Sequence, residues 1–278
     1  MTTTADGVRR LPVPPKPRRP KSVLLGWAVA VVVVAAHAVA WHTTDMSFGA
    51  LVDGRRGMAD FLAEAVPPDL SWDVLGPSLD AALVTLWIGL LGTTLSVPFS
   101  LLLALLAARG TAPSGWVYQA ARSVLSFLRA VPDVVFALIF VTAVGLGPFP
   151  GVLALVCHNV GVMGKLWAEA LEDADPGPSQ ALRSAGAGRA QVAAHALLPS
   201  VLPQLTGLLM YRFDVNVRSS LVLGLVGAGG IGFLINQSIK LFKFDEMLTH
   251  ILVVVVLVVA VDRLSAAVRR RLSEGDHA

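Results

Sequence analysis

From Leu79 to about Ala107 the chain is apolar and long enough to cross a bilayer, and this run has companions. They are Val23–Trp41, Val131–Leu146, Val152 to about Leu171, Val201 to about Ser220, and Leu248 to about Val261. Inside hydrocarbon a backbone must satisfy its own N–H and C=O groups, so each run is expected to be a helix. The expected fold is all-α: a polytopic membrane protein with about six transmembrane helices. Composition agrees. Of 278 residues, 15% are charged and 55% hydrophobic, and mean hydropathy is +0.68; a soluble domain carries roughly 25% charged residues. The single cysteine, Cys157, excludes a disulfide framework and a Cys-rich metal site.

Basic residues gather at the two ends: Arg9, Arg10, Lys16, Arg18, Arg19 and Lys21, then Arg269, Arg270 and Arg271. Both groups flank apolar runs, so they read as cytoplasmic anchors rather than a nucleic-acid surface. The outer segments hold few Lys or Arg, namely Arg55, Arg56, Lys240 and Lys243. Both termini are therefore expected inside the cell. Residues 1–22, rich in Pro and Arg, form a disordered tail; 23–41 is the first span; 42–77 lies outside; 78–268 is the transmembrane domain; 269–278 is a second tail. The first run also has the basic front and the Ala38-Val39-Ala40 triplet of a cleavable signal peptide, although its length suits a retained span. Between Phe48 and Ala65 apolar residues recur at helical spacing, which predicts an amphipathic helix on the membrane surface, ended by Pro67-Pro68. Ser78 is placed to cap the second span. Trp116–Arg129 should lie at the inner interface before the third span rises, and Gly147–Gly151 should form a tight outer turn.

"VGAGGIG" contains the G-x-G-x-x-G spacing of a dinucleotide-binding turn at Gly227, Gly229 and Gly232, with Asp245 near where a ribose-binding acid would stand. No βαβ pattern surrounds it, and the segment follows an upward span. Gly227, Gly229, Gly230 and Gly232 instead permit a break in helical backbone. Such breaks occur at membrane depth where backbone is packed in protein or lines a cavity. The stretch is expected to be a flexible gate near the outer mouth.

The polar segment from about 172 to 200 includes "SQALRSAGAGRAQVAAHALLPSVLPQ", in which Gly186 precedes Pro199 by thirteen residues. This spacing resembles the EAA loop of ABC-importer permeases. Ala181, Gly186, Leu198 and Pro199 fit that pattern; Gln180 stands where the family usually has Glu, and Ala196 where Ile or Leu is preferred. A short helix joined by a Gly turn to a second one can sit in a cleft on an ATPase. Ala185, Gly186, Ala187 and Gly188 would allow close approach, while Ala190, Val192, Ala193, Leu197 and Leu198 would supply apolar contact. Leu198-Pro199 is expected to close the loop.

"WVYQAARSVLSFLRAVP", "FALIFVTAVGLGPFPGVLAL", "EALEDADPGPSQALRSAGA", "LLPSVLPQ" and "YRFDVNVRSSLVLGLVGAGGIG" resemble the permease subunit of phosphonate ABC importers over about Leu79 to Arg271. Asp214 stands where Glu is common in that family. The resemblance implies a type I importer fold, with a second permease copy (or close paralogue), two cytosolic ATP-binding subunits and an extracytoplasmic substrate-binding protein. ATP and Mg would be used by the partner, since the chain has no Walker A motif. No catalytic residue, metal site or cofactor is expected in this chain.

Charges inside spans are costly and mark function by default. On the fifth span Asp214 and Arg218 are i and i+4 and can pair, whereas Arg212 has no obvious partner. Counted from Pro199, Arg212 lies about 20 Å up, near mid-bilayer. Guanidinium groups suit phosphorus oxyanions because they bind them bidentately. Arg212, Asp214 and Arg218 are therefore candidate path residues, with His158 and Asn159 on the fourth span; a structural ion pair and a satisfied core histidine are the competing readings. Lys165 and Glu169 are placed to pair. An ion-driven carrier using Asp214 is the alternative function, and a membrane enzyme on lipid phosphates would need an acid or His cluster that the sequence lacks.

Overall fold

The computed structural model describes residues 20–274; the expected tail 1–22 falls almost wholly, and the last residues of 269–278 wholly, outside that range. In chain order the helices are α1 (Pro20–Thr43), α2 (Phe48–Asp53), α3 (Arg55–Ala65), α4 (Trp72–Ala107), α5 (Gly115–Ala130), α6 (Asp133–Val144), α7 (Pro148–Asp173), α8 (Pro176–Ser184) and α9 (Arg189–Val192). A π-helical turn (Ala193–Leu197) leads into α10 (Leu198–Leu225), followed by α11 (Ile231–Lys240) and α12 (Phe244–Glu274). Among the described residues, five helical segments, those around α1, α4, α7, α10 and α12, are long and apolar enough to cross a membrane. The expected third span is a bent pair: α5 and α6 meet at 84°, which makes a sixth crossing only if the two count together. The bend falls at Val131-Pro132, where proline disfavours helical backbone in the residue before it.

Of the described residues, those up to Ala59 and those from Asp60 onward form separate compact units. Three local expectations need correction. The amphipathic segment is two helices, because the chain caps α2 at Gly54 before α3 starts. Ser78 caps nothing. Helix α4 already begins at Trp72, with Pro77 inside it, and Ser78 is fully buried, its hydroxyl 2.7 Å from His250 Nδ1 of α12. The outer turn is shorter than read: Gly145 and Gly147 take positive φ, and Pro148 already opens α7. Proline is at home there because a helix's first N–H groups have no intrahelical acceptor.

In the second unit α4 and α7 form the most extensive helix pair. Small residues let their backbones meet, as membrane packing favours. A Cβ on Gly92 would stand 2.6 Å from Leu155 Cβ, and one on Gly161 would stand 2.5 Å from the Arg129 backbone nitrogen of α5. Two apolar clusters result. One gathers Ala104, Leu125, Met163, Trp167, Leu197 and Leu205; the other gathers Ile88, Ala137, Val152, Leu155, Leu223 and Ala228. Between these clusters α4, α7 and α10 bury polar residues, among them Thr93, Asn159, Arg212 and Asn216, and these form the first part of the site.

Candidate functional site

Arg212 lies in that layer, 8% exposed. A buried guanidinium needs acceptors, and two helices supply them. Nε and Nη2 donate to Asn159 Oδ1 of α7 at 3.1 and 2.6 Å, and Nη2 also reaches Asn216 Oδ1 at 3.4 Å. Asn216 Nδ2 in turn donates to Thr93 Oγ1 of α4 at 2.7 Å, and Asn159 Nδ2 to the Gly92 carbonyl at 3.3 Å. Asn159 and Asn216 are fully buried. The expectation that Arg212 lacks a partner is thus wrong: its charge is held by neutral amides that tie α4, α7 and α10 together. Sequence reasoning missed Asn216 and Thr93. Asn216 was within reach of the same i,i+4 rule that paired Asp214 with Arg218, because it lies four residues after Arg212. His158, next to Asn159, points elsewhere, with Nδ1 3.2 Å from the Val131 carbonyl at the α5–α6 bend.

The second face of α10 carries the ion pair. Arg218 Nη2 lies 3.1 Å from Asp214 Oδ2, as the spacing predicts, and the same nitrogen also bonds Asp262 of α12. Asp262 was missed because the last apolar run was ended one residue before it. Two carboxylates, those of Asp214 and Asp262, thus face the Arg218 guanidinium. Arg218 keeps 47% of its side chain exposed, against 8% for Arg212 as a whole residue, so Arg218 is the more exposed of the two α10 arginines. Lys165 and Glu169 pair at 3.0 Å on α7.

The glycine stretch is non-helical from Val226 to Gly230, while Gly232 lies inside α11 and so drops out of the break. Gly227, Gly229 and Gly230 all have positive φ. The break is fixed from two sides. Gly147 N–H, in the α6–α7 turn, donates to the Gly227 carbonyl at 3.0 Å, and Ile231 N–H donates to Thr85 Oγ1 of α4 at 2.9 Å. Ala228 is fully buried. The expected flexible stretch is therefore a packed turn.

The loop before α10 is built differently. Asp175 caps α8 by accepting from Gly177 N–H, and Pro176 starts the helix. Gln180 and Ala181 are exposed on α8. Gly186 then reverses the chain with φ +86°, and Gly188 N–H is capped by Gln191 Oε1 at 2.8 Å. A cavity of about 450 Å³ opens here, lined by Leu182, Ala185, Gly186, Ala187, Gln191 and His195. Leu198-Pro199 does not close the loop. The helix runs on from Arg189 to Leu225, and the π turn lets it pass the proline: it ends in a bond from Leu198 N–H to the Ala193 carbonyl, five residues back. The wider turn brings in a residue that has no N–H and whose ring crowds the preceding turn. Val192 and Leu197, two of the expected docking contacts, are buried within the chain itself, whereas Ala190 is exposed.

The base of this loop is held by charges that sequence reasoning did not connect. Glu172, at the end of α7, accepts from Arg122 Nη2 at 2.8 Å and from Arg109 N–H at 3.0 Å. Arg122 also donates to the Ala107 carbonyl. Arg109 Nε donates to Tyr118 Oη, and that bond, with Glu172 nearby, raises the pKa of the guanidinium above its ordinary value.

A bundle of long apolar helices with a short helix–turn–helix insert before α10 and a polar layer in its core defines a class: this is the fold of ABC-importer permeases. Among solved structures, the methionine ABC transporter MetNI in an inward-facing conformation aligns with TM-score 0.59 at 21% identity, covering 72% of this chain and 96% of that one. A bacterial alginate ABC transporter aligns with TM-score 0.56 at 15% identity, covering 90% of this chain and 97% of that one. Residues 100–274 match the family of binding-protein-dependent transport system inner membrane components, and the chain belongs to that family. The phosphite transport system permease protein PtxC of Stutzerimonas stutzeri is 41% identical over 255 residues, 88% of this chain and 90% of that protein. The phosphate-import permease protein PhnE of Mycolicibacterium smegmatis is 40% identical over 240 residues, 86% of this chain and 44% of that protein. The chain is thus a multi-pass membrane transport subunit, not an enzyme. As a member of this family it works with a substrate-binding protein and an ATPase.

Proposed function

We propose that this chain forms the translocation path for a phosphorus oxyanion, whether a phosphonate, phosphite or phosphate, in an importer driven by a separate ATPase. The supporting observation is the identity of about 40% to phosphite and phosphate permeases across nearly the whole chain. The geometry fits an energy-coupling part: one helical segment runs without interruption from Arg189, beside the Gly186 turn, to Leu225 beside the glycine break. A push on the loop would be carried along this helix into the polar layer.

In this reading both termini are cytoplasmic, and Gln180 to Gly188 touch one of two ATP-binding subunits, which use ATP and Mg. A second copy or a paralogue completes the path, and an extracytoplasmic binding protein delivers the anion. Arg218, half exposed between Asp214 and Asp262, meets the anion, the two carboxylates keeping the contact weak enough for release. Arg212, Asn159 and His158 position the helices around the path. The turn at Gly227, Gly229 and Gly230 caps the outer end, with Gly232 anchoring α11. The test is uptake of radiolabelled phosphite, phosphate and a small phosphonate into vesicles holding the permease, its ATPase and its binding protein. ATP-dependent uptake of one of them is expected. Uptake that needs no ATPase and follows an imposed ion gradient would overturn the reading in favour of a carrier.

A further inference from the structure

At the root of the loop, a cavity of about 430 Å³ is lined by Arg109, Arg183, Arg189, Gly110, Ala112, Ala187 and Gly188. Three of these side chains are guanidinium groups, and none is an acid. Their protein contacts are few. Arg183 Nη2 reaches the Gly110 carbonyl at 3.4 Å, Arg189 Nη1 reaches the carbonyls of Ala112 and Pro113 at 3.3 and 3.1 Å, and Arg109 Nε bonds Tyr118 Oη at 3.3 Å. Each guanidinium has five N–H donors in a planar fork, so most of the donors around this cavity are unused. Glu172, on the adjoining wall, pairs with Arg122 and also accepts from Arg109 N–H, so it offsets part of the charge of Arg109 but is not paired with Arg183 or Arg189. That wall belongs to a second cavity of about 400 Å³ that shares Arg109, Gly110 and Arg183 and is also lined by Ser179. The Ser179 hydroxyl is buried and has no hydrogen-bond partner among the described residues. Three cations with spare forked donors line one cavity from the α4–α5 turn, α8 and α9, and the unsatisfied hydroxyl lies in the adjoining cavity, which shares Arg109 and Arg183 with the first.

We infer that this is a binding site for a tetrahedral phosphorus oxyanion, separate from the path and on the side of the membrane where the loop lies. Bidentate donation from planar guanidinium groups is the chemistry that selects such an anion over a halide. Bound there, the anion bridges residues 109–113 to residues 183–189, two segments joined across this cavity by three hydrogen bonds to carbonyls, from Arg183 and Arg189. It would stiffen the loop that faces the ATPase. Two sources share this chemistry: free phosphate or phosphite, and the headgroup phosphate of an anionic phospholipid. The inference rests on the proposed function only for the loop's role; binding is a property of the chain alone.

The full chain is purified in a phosphate-free, uncharged detergent and stripped of lipid. Equilibrium dialysis with radiolabelled inorganic phosphate, with native mass spectrometry after adding phosphatidylglycerol, compares wild type with Arg189→Gln, Arg183→Gln and the exposed control Lys243→Gln. Saturable binding of one of the two probes is expected, weakened at least tenfold in each arginine variant, unchanged in the control, and reduced by salt. Phosphate bound without lipid assigns the site to the free anion; phosphatidylglycerol retained without phosphate assigns it to the headgroup. Binding of neither probe overturns the inference, as does binding that the arginine variants leave intact, which would belong to the path. If, on coexpression with the ATPase, the variants lose copurification while probe binding by the purified chain is unchanged, the cluster is a protein contact and the inference falls. None of these outcomes depends on transport, so failure here is distinct from failure of the uptake assay.

Discussion

The turn at Gly186 and the turn at Gly227–Gly230 use the same backbone device for opposite ends. Both reverse the chain through glycines with positive φ, at +86° in the first and +97°, +75° and +70° in the second. A Cβ on Gly186 would meet nothing within 4 Å. On Gly229 it would stand 3.0 Å from the Pro148 nitrogen, and on Gly230 it would collide with Thr85 Oγ1. The first turn leaves open space around its glycine. The second is a close-packed joint where α4, α7 and α10 converge. Glycine in a sequence reports that a backbone angle is unusual or a neighbour is near, and the two causes separate only in three dimensions.

This contrast can be broken by substitution. The largest effect is expected for Gly230→Ala, which adds left-handed strain of about 1–3 kcal/mol to overpacking of about 1–3 kcal/mol. A detergent-solubilised variant should unfold at clearly lower temperature or denaturant concentration. A cost no greater than that of Gly186→Ala would erase the distinction. Next comes Thr85→Val, which strips the acceptor from Ile231 N–H. Leaving a buried donor unpaired costs about 1–3 kcal/mol, measurable in the same unfolding experiment. An unchanged midpoint would mean that the joint does not depend on this bond. Gly186→Ala should pay only the left-handed term, about 1–2 kcal/mol. Because that strain sits in the loop, hydrogen exchange should quicken there and not in α4 or α7. Protection lost in the membrane core instead would make the loop part of the same cooperative unit. The smallest effect is expected at Gly188, where φ is −71° and a Cβ would meet Gln191 Oε1 at an ordinary 3.7 Å. Gly188→Ala should stay within about 0.5 kcal/mol of wild type, and a larger loss would show that this backbone is already gripped by a neighbour.

Much of the site was readable one residue at a time but not as a set. The i,i+4 rule found the Asp214–Arg218 and Lys165–Glu169 pairs, since both partners lie on one helix. It could not find Asn159 for Arg212 or Asp262 for Arg218, which are 53 and 44 residues apart in the chain. Ser78 misled because serine before an apolar run reads as a cap, while here its hydroxyl serves a histidine 172 residues away. Pro199 misled for the converse reason: proline reads as an end, and the π turn before it carries the helix through.

The sequence by itself determined the solvent, the helical class and the family. Hydrocarbon rejects unpaired backbone groups over any long run, so length and composition suffice to choose helices, and the Gly186-to-Pro199 spacing marks the loop without any contact being known. Only the tertiary structure decided which charges are spent on holding helices together and which remain open, that the glycine break is a packed joint, and that three arginines from two separate segments share one cavity. Those facts depend on which faces meet across distant parts of the chain. A helix's periodicity fixes the residues that share a face, but packing against other helices chooses what that face will touch.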